Sequence, residues 1–450
     1  MPSSPSARPP SGRPYDVCIV GAGPAGSTAA YLLTRQGRTV ALVDRARFPR
    51  DKTCGDGITP RGARVLARIG ALDRVAGRGY ACRGVDIRGP GVNGSIVDFT
   101  MRFDEGRSRG GASGPSDLIV LPRHTLDDLL LQHALAAGPA YFEATKVVAV
   151  EPRDDHARVL TDGDLVIDAT TVVLATGAES QLLRACGLLA EKPPVEHAAR
   201  VYFDGVQGLS DRVVLFFDGV DLPGYGWIFP TSPTSANIGC GVFAQGEADD
   251  GRARAMPQAQ RLETLLATHP LLIRMLAGAR RSGPVRAYPL RTDFHRDFAG
   301  RGRLLVIGEA AGLVNPITGE GIDYALESAE FLAAAYARCW PKAGAGAPLD
   351  DASAVRLTED YRRRLSRRFT RRFALYRAVQ RHALAPERTP SLLSHVACAP
   401  ALQRLVVDGL FGRARPAHLL RPAALWEIVR LFARPARPPA PSTRPSSGLS

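Results

Sequence analysis

Three glycines in the run Gly21-Ala-Gly23-Pro-Ala-Gly26 follow the apolar stretch YDVCIV and open a helical pattern that reaches Leu33. That spacing suits a diphosphate. Gly21 permits a tight turn, Gly23 removes a Cβ where a pyrophosphate must approach the backbone, and Gly26 lets helix and strand pack closely. The helix start adds unpaired N–H groups and the positive end of a dipole. Asp44 ends a second apolar run, Thr39–Val43, 23 residues after Gly21. A carboxylate there accepts both hydroxyls of an adenosine ribose and disfavours a 2′-phosphate. Strand, turn, helix and acid in this order predict dinucleotide binding; outside that setting the glycines would be a structural turn.

The first turn does not separate NAD from FAD, but a second segment does. Leu304–Ile307 is a buried-strand run, followed by Gly308-Glu309-Ala-Ala-Gly312 and by Asn315-Pro316-Ile-Thr-Gly319-Glu320-Gly321-Ile322, with a helix from Asp323. A second glycine turn with a carboxylate suits a cofactor with a longer tail, whose ribityl chain carries extra hydroxyls. N–H groups of Gly321 and Ile322, at another helix start, would stabilise the negative charge of a reduced isoalloxazine. The expected cofactor is FAD. No second dinucleotide unit is visible, so the electron donor is NAD(P)H or a protein carrier.

These segments need strands and helices to hold them. The 450 residues allow two large domains or three, and the balance of 45% apolar to 23% charged residues is that of a globular chain. No apolar run reaches the length of a spanning helix, and the N-terminus has no signal-peptide core, so a cytoplasmic protein is expected. Seven cysteines without a C-x-x-C pair or a histidine cluster argue against a metal site. A helix is expected over His124–Ala137. Short strands are expected at Val147–Val150, Ala157–Leu160, Leu165–Ile167 and Val172–Ala175, alternating strands over 197–245, helix over 260–280, and helices from 357 to 432. Residues 1–14 and 433–450 read as disordered tails.

Net charge is +14, with nine arginines and no acid in residues 361–382. Leu365, Phe369, Phe373 and Tyr376 fall on one helical face of that segment. It reads either as an interfacial helix meeting an anionic membrane surface, or as a basic helix packed on the protein through its apolar face. No nucleic-acid-reading motif accompanies the arginines, so nucleic acid is not an expected partner.

Several blocks, in order, resemble the geranylgeranyl reductase family of flavoproteins, which has the p-hydroxybenzoate hydroxylase type of fold. They are the GAGPAG turn with its acid, Phe48-Pro49-Arg50-Asp-Lys52-Thr-Cys54-Gly55, Arg123-x-x-Leu-Asp127-x-x-Leu, Ala175-Thr-Gly177, Tyr225-Gly-Trp227-Ile-Phe229-Pro230, and Gly308 to Ile322. Together they span about residues 15–340. The resemblance implies a mixed α/β fold in which a Rossmann-type FAD domain (15–80, 115–190 and 285–345) carries an inserted antiparallel-sheet substrate domain (81–114 and 191–284). A C-terminal helical region (346–432) follows. Two positions depart from the family pattern: Glu309 stands where Asp is usual, and Thr176 replaces the Asp of Ala-Asp-Gly.

The resemblance also implies roles. Ala25, Gly26 and Asp44 would hold the adenosine diphosphate end, with backbone at Val147 or Val148 beside the adenine. Arg123 would pair a flavin phosphate or ribityl oxygen, and Glu309, Gly177, Gly321 and Ile322 would hold the ribityl and isoalloxazine parts. Cys54 and Gly55 would lie beside the flavin, where the thiol donates a proton or shapes the pocket. Tyr225 and Trp227, two apart on a strand, face one side and with Phe229 would line an elongated apolar pocket. The implied activity is reduction of carbon–carbon double bonds in an isoprenoid or polyprenyl lipid by hydride from reduced flavin. A flavin monooxygenase or halogenase-like tailoring enzyme, and a flavin- or lipid-binding protein without turnover, are the alternatives.

Overall fold

The structure is a computed structural model and describes residues 13–103, 117–243, 256–340 and 349–410. The expected tails fall outside these residues except for positions 13 and 14, as does the end of the helical region. The apolar runs build the first sheet. Leu304–Val306, Val166–Leu174, Tyr15–Val20, Val40–Val43 and Ala140–Phe142 lie side by side in that order, each neighbouring pair parallel. Val40–Val43 is buried along its whole length, as a parallel strand covered on both faces must be. The helices Pro24–Arg35 and Ile322–Cys339 pack against this sheet and each other.

Two antiparallel strands, Val147–Pro152 and Ala157–Thr161, extend the sheet from Val166–Leu174. That last strand joins two segments expected to be separate. Asp168 and Thr170 are partly exposed in its first half, while its second half is fully buried, so polar residues break the apolar pattern without breaking the strand.

The second sheet runs Arg280–Arg281, Glu196–Asp204, Ser235–Val242, Gly224–Pro230, Arg212–Phe216, Gly84–Pro90, Ile96–Arg102. It is antiparallel except where Arg212–Phe216 lies parallel to Gly84–Pro90, the seam between the two inserted segments. Arg286–Leu290, expected with the cofactor unit, pairs with Glu196–Arg200 in this sheet. A small third sheet of Gly57–Ile58, Leu118–Val120 and Tyr80–Cys82 supports the chain after Cys54.

Asp351–Leu365, a π turn at Ser366–Thr370, and Arg371–Ala383 form one helical run. Leu365, Phe369 and Phe373 are fully buried in the main core. The Phe369 ring lies 5.5 Å from Tyr324, 6.1 Å from Phe294 and 6.0 Å from Phe331. The face carrying Leu365, Phe369 and Phe373 is therefore packed inside the protein, while Leu375 and Val379 are exposed among the arginines. Some of those arginines are paired within the fold, Arg364 with Asp360 and Arg368 with Glu327. Gln380 fastens the end of the run, its buried amide facing Glu196 Oε1 and the carbonyls of Phe243 and Pro316. Among the described residues no helix is long and apolar enough to cross a membrane.

Phe369→Ala should cost about 3–5 kcal/mol and lower the melting temperature sharply, while exposed Arg367→Ala should leave it nearly unchanged; equal effects would remove Phe369 from the core. Burial pushes the Glu196 carboxyl up to about 8, against hydrogen bonds from Gln380 and Thr292. The folded protein thus keeps a proton that the unfolded chain releases above its ordinary value of 4.5. More protons in the native state means stability falls as pH rises from that value to about 8. Glu196→Gln should flatten this fall in thermal melts across the same range; an unchanged slope would contradict it.

Candidate functional site

The glycine turn has the geometry its spacing requires. Gly21 sits at φ +108°, and a Cβ there would lie 2.5 Å from the Ala175 carbonyl oxygen; a Cβ on Gly26 would lie 1.7 Å from the Gly21 oxygen. Gly23 differs. A Cβ there would meet within 4 Å only Arg50 Nη2, at 3.4 Å. Space is thus kept beside a guanidinium, at a helix start where no side chain caps the free N–H groups and Ala25 and Gly26 follow Pro24. Asp44 accepts from Ala22 N–H at 2.7 Å and Ala46 N–H at 2.8 Å, which fixes its carboxylate at the cavity wall. Of the two valines, Val147 lines the cavity and Val148 is exposed.

Arg123 gives Nε and Nη2 to Asp127, both at 2.7 Å, and lines the cavity from a buried position. The cation that faces the phosphate turn is Arg50, held by Asp127 at 2.9 Å. The sequence placed Arg50 in a motif without a role; its neighbourhood to Gly23 is tertiary.

Glu309 accepts from Lys52 Nζ at 2.7 Å through Oε2, while its Oε1 is buried without a partner. Gly177, at φ +68°, brings backbone close: its Cβ would stand 3.5 Å from Glu309 Oε2. Thr176, one of the two departures, spends its hydroxyl on the Glu179 carbonyl at 2.9 Å. Gly321 precedes the Ile322–Cys339 helix with no side-chain cap, and the first intrahelical bond runs from Ala325 N–H to Gly321. A glycine cradle at a helix start, an orphaned carboxylate oxygen and a second uncapped helix start around one cavity fit FAD.

The cavity measures about 1180 Å³, above the roughly 300–1,000 Å³ of common small-molecule sites, so it admits a second molecule beside a cofactor. Tyr225, Trp227 and Phe229 line it from one strand, with ring centroids 5.9 and 6.3 Å apart. Phe243 stacks on Tyr225 at 5.3 Å. Trp227 Nε1 donates to Asn237 Oδ1 at 3.0 Å, and the Asn237 amide donates to the Cys54 carbonyl and to Asp56 Oδ2, each at 2.7 Å. Gly55 lies so near the aromatics that its Cβ would be 3.3 Å from Phe229.

Burial pushes the Cys54 thiol up, so at neutral pH it keeps its proton and is no thiolate nucleophile. Burial raises Tyr225 as well, and its hydroxyl donates to the Thr318 carbonyl. Asp56 is pushed up to about 6 by burial, opposed by hydrogen bonds from Tyr202 and Asn237. The wall missed by the sequence is C-terminal: Tyr376, Val379, Leu393, Val396 and Leu405 close the cavity opposite Ile87, Phe99 and Leu215. Among the described residues no cluster suited to a metal ion occurs.

The FAD binding domain family matches residues 14–359. The chain is 34% identical over 347 residues to the menaquinone reductase of Mycolicibacterium smegmatis, covering 72% of this chain and 79% of that protein. It is 29% identical over 330 residues to digeranylgeranylglycerophospholipid reductase 2 of Methanopyrus kandleri, covering 69% and 74%. Among solved structures, a geranylgeranyl bacteriochlorophyll reductase-like protein from Thermoplasma acidophilum superposes with a TM-score of 0.70 at 20% identity, covering 93% of this chain and 96% of that one. The flavin-dependent brominase Bmp2 gives 0.68 at 19% identity, covering 93% and 98%.

Glu309→Ala removes a charged acceptor beside Lys52, a loss of about 1.5–3 kcal/mol. FAD should bind the variant at least about tenfold more weakly when the apoprotein is titrated by flavin fluorescence. Unchanged affinity would take Glu309 out of the cofactor site.

Proposed function

We propose that this chain, which belongs to the FAD-binding domain family and is a geranylgeranyl reductase-like FAD-dependent oxidoreductase, reduces carbon–carbon double bonds in the isoprenoid chain of a lipid. A prenylated quinone is the first candidate, because the relatives at 34% identity are menaquinone reductases. The observation that carries the reading is that one cavity is lined by the Gly23 turn, the aromatic strand and aliphatic side chains of the C-terminal helices. A cofactor and a long apolar chain need such a shape, and a compact polar substrate does not.

When bound, FAD supplies the hydride. The chain's own residues do the rest. Gly23, Arg50 and the start of the first helix hold the pyrophosphate, and Asp44 the adenosine ribose. Glu309, oriented by Lys52, takes a ribityl hydroxyl on its free oxygen. Trp227 and Phe229, locked through Asn237 and Gly55, press the substrate chain against the cofactor face and exclude water. Arg123 serves through Asp127, which also orients Arg50. Cys54 and Tyr225 carry protons at the cavity wall.

The test is anaerobic. Holoenzyme reduced with dithionite is mixed with a prenylated quinone, and the oxidised flavin bands are followed. The bands should return, and the recovered lipid should stay heavier by two hydrogens per bond after exposure to air. A product that reverts to its original mass in air is a quinol, which would move the chemistry from the chain to the ring. A product gaining oxygen or halogen would favour the tailoring-enzyme alternative.

A further inference from the structure

At the cavity wall between the aromatic strand and the Ile322–Cys339 helix lies a pair of acids that the scheme above leaves idle. Glu320 lines the cavity, and Asp323 is fully buried behind it in the first turn of the helix. Thr59 touches both, its Oγ1 making a short bond to Asp323 Oδ2 and lying 3.4 Å from Glu320 Oε1. It also accepts from Arg61 N–H at 3.2 Å. A hydroxyl has one hydrogen. Thr59 can donate to only one of the two acids, so both contacts are hydrogen bonds only if one of the carboxyls carries a proton.

Two further facts agree. Asp323 Oδ1 is buried, and no N–H or hydroxyl donor among the described residues reaches it. The Glu320 carboxyl stands beside Asp323, and its one hydrogen can serve either this oxygen or Thr59 Oγ1, not both at once. Arg61 and Arg64 are the cations facing the group, and both also face Glu327. Arg61 is buried and lies 4.4 Å over the Tyr324 ring. Tyr225 and Tyr324 are the other titratable groups facing Glu320. Burial first, then Asp323, hold the Glu320 carboxyl well above its ordinary range.

We propose that Glu320 is the catalytic acid of the reaction, its carboxyl delivering into the cavity the proton that accompanies hydride transfer, with Thr59 and Asp323 as positioning residues. The assignment rests on the alkene-reduction reading above. In the balanced step one alkene carbon accepts a hydride, with its electron pair, from the reduced flavin. The other takes the proton as the Glu320 O–H bond breaks. The double bond is reduced, the flavin is oxidised, and the Glu320 carboxylate is reprotonated from solvent.

The test uses FAD-loaded enzyme. At neutral pH the wild-type-minus-Glu320→Gln infrared difference spectrum should contain a protonated-carboxyl stretch, the Glu196 stretch cancelling because both proteins carry it, with the visible flavin spectrum unchanged in the variant. Reoxidation of the reduced variant by prenylated quinone should slow by about a hundredfold or more with lipid binding retained, and Glu320→Asp should recover part of the rate. A difference spectrum without a lost carboxyl band, or an unchanged reoxidation rate, would overturn the assignment. Failure of the wild type itself to be reoxidised would overturn the alkene-reduction reading and the donor role with it. The infrared band would still report separately whether the acid pair shares a proton.

Discussion

The amide of Asn237 is the joint on which the site depends. It is wholly buried, and each of its polar positions is used: Oδ1 for the Trp227 indole, and the two amide hydrogens for the Cys54 carbonyl and Asp56. Through it the second sheet grips the loop that leaves the first sheet. A buried amide satisfied on every side has one orientation, so the aromatic wall and the Cys54–Gly57 backbone cannot shift independently. Asp56 adds a second hold, accepting from Tyr202 at 2.5 Å and from the Arg123 backbone at 3.2 Å. The helix that carries Arg123 and Asp127 is thereby registered against the same loop, and Asp127 in turn sets Arg50 over the phosphate turn.

What the sequence made legible follows from local physics. The Gly21–Gly26 turn is a steric requirement of consecutive backbone atoms, and it appears where the residue types put it. The one-sided aromatics at Tyr225, Trp227 and Phe229 follow from strand alternation. Side chains whose direction is decided by distant partners were not legible in this way. Arg123 and Arg50 stand in equally suggestive motifs, and only Asp127, which binds both, decides which lies beside Gly23. The basic stretch 361–382 is similar. Its periodicity marks a face to be covered but not what covers it, and Tyr324, Phe294 and Phe331 do so from elements far away in sequence. The wall contributed by the C-terminal helices had no motif at all.

The two departures from the family pattern have physical readings in the fold. Glu309, a methylene longer than the usual residue, spans to Lys52 and still leaves one buried oxygen without a partner. Thr176 closes its own turn, which leaves Gly177 to provide the close approach. The neighbouring Glu320–Thr59–Asp323 group is likewise built from residues on a loop, a helix start and a separate helix. One cavity edge therefore holds cofactor-orienting and proton-holding groups a few residues apart.

The central claim is that hydrogen is added to the isoprenoid chain. The most direct measurement is a single turnover in heavy water: reduced holoenzyme without oxygen, one equivalent of prenylated quinone, and fragment masses of the recovered lipid. One deuterium on each of two adjacent chain carbons is the predicted result. A chain without deuterium, or an oxygen atom in place of deuterium, would contradict it.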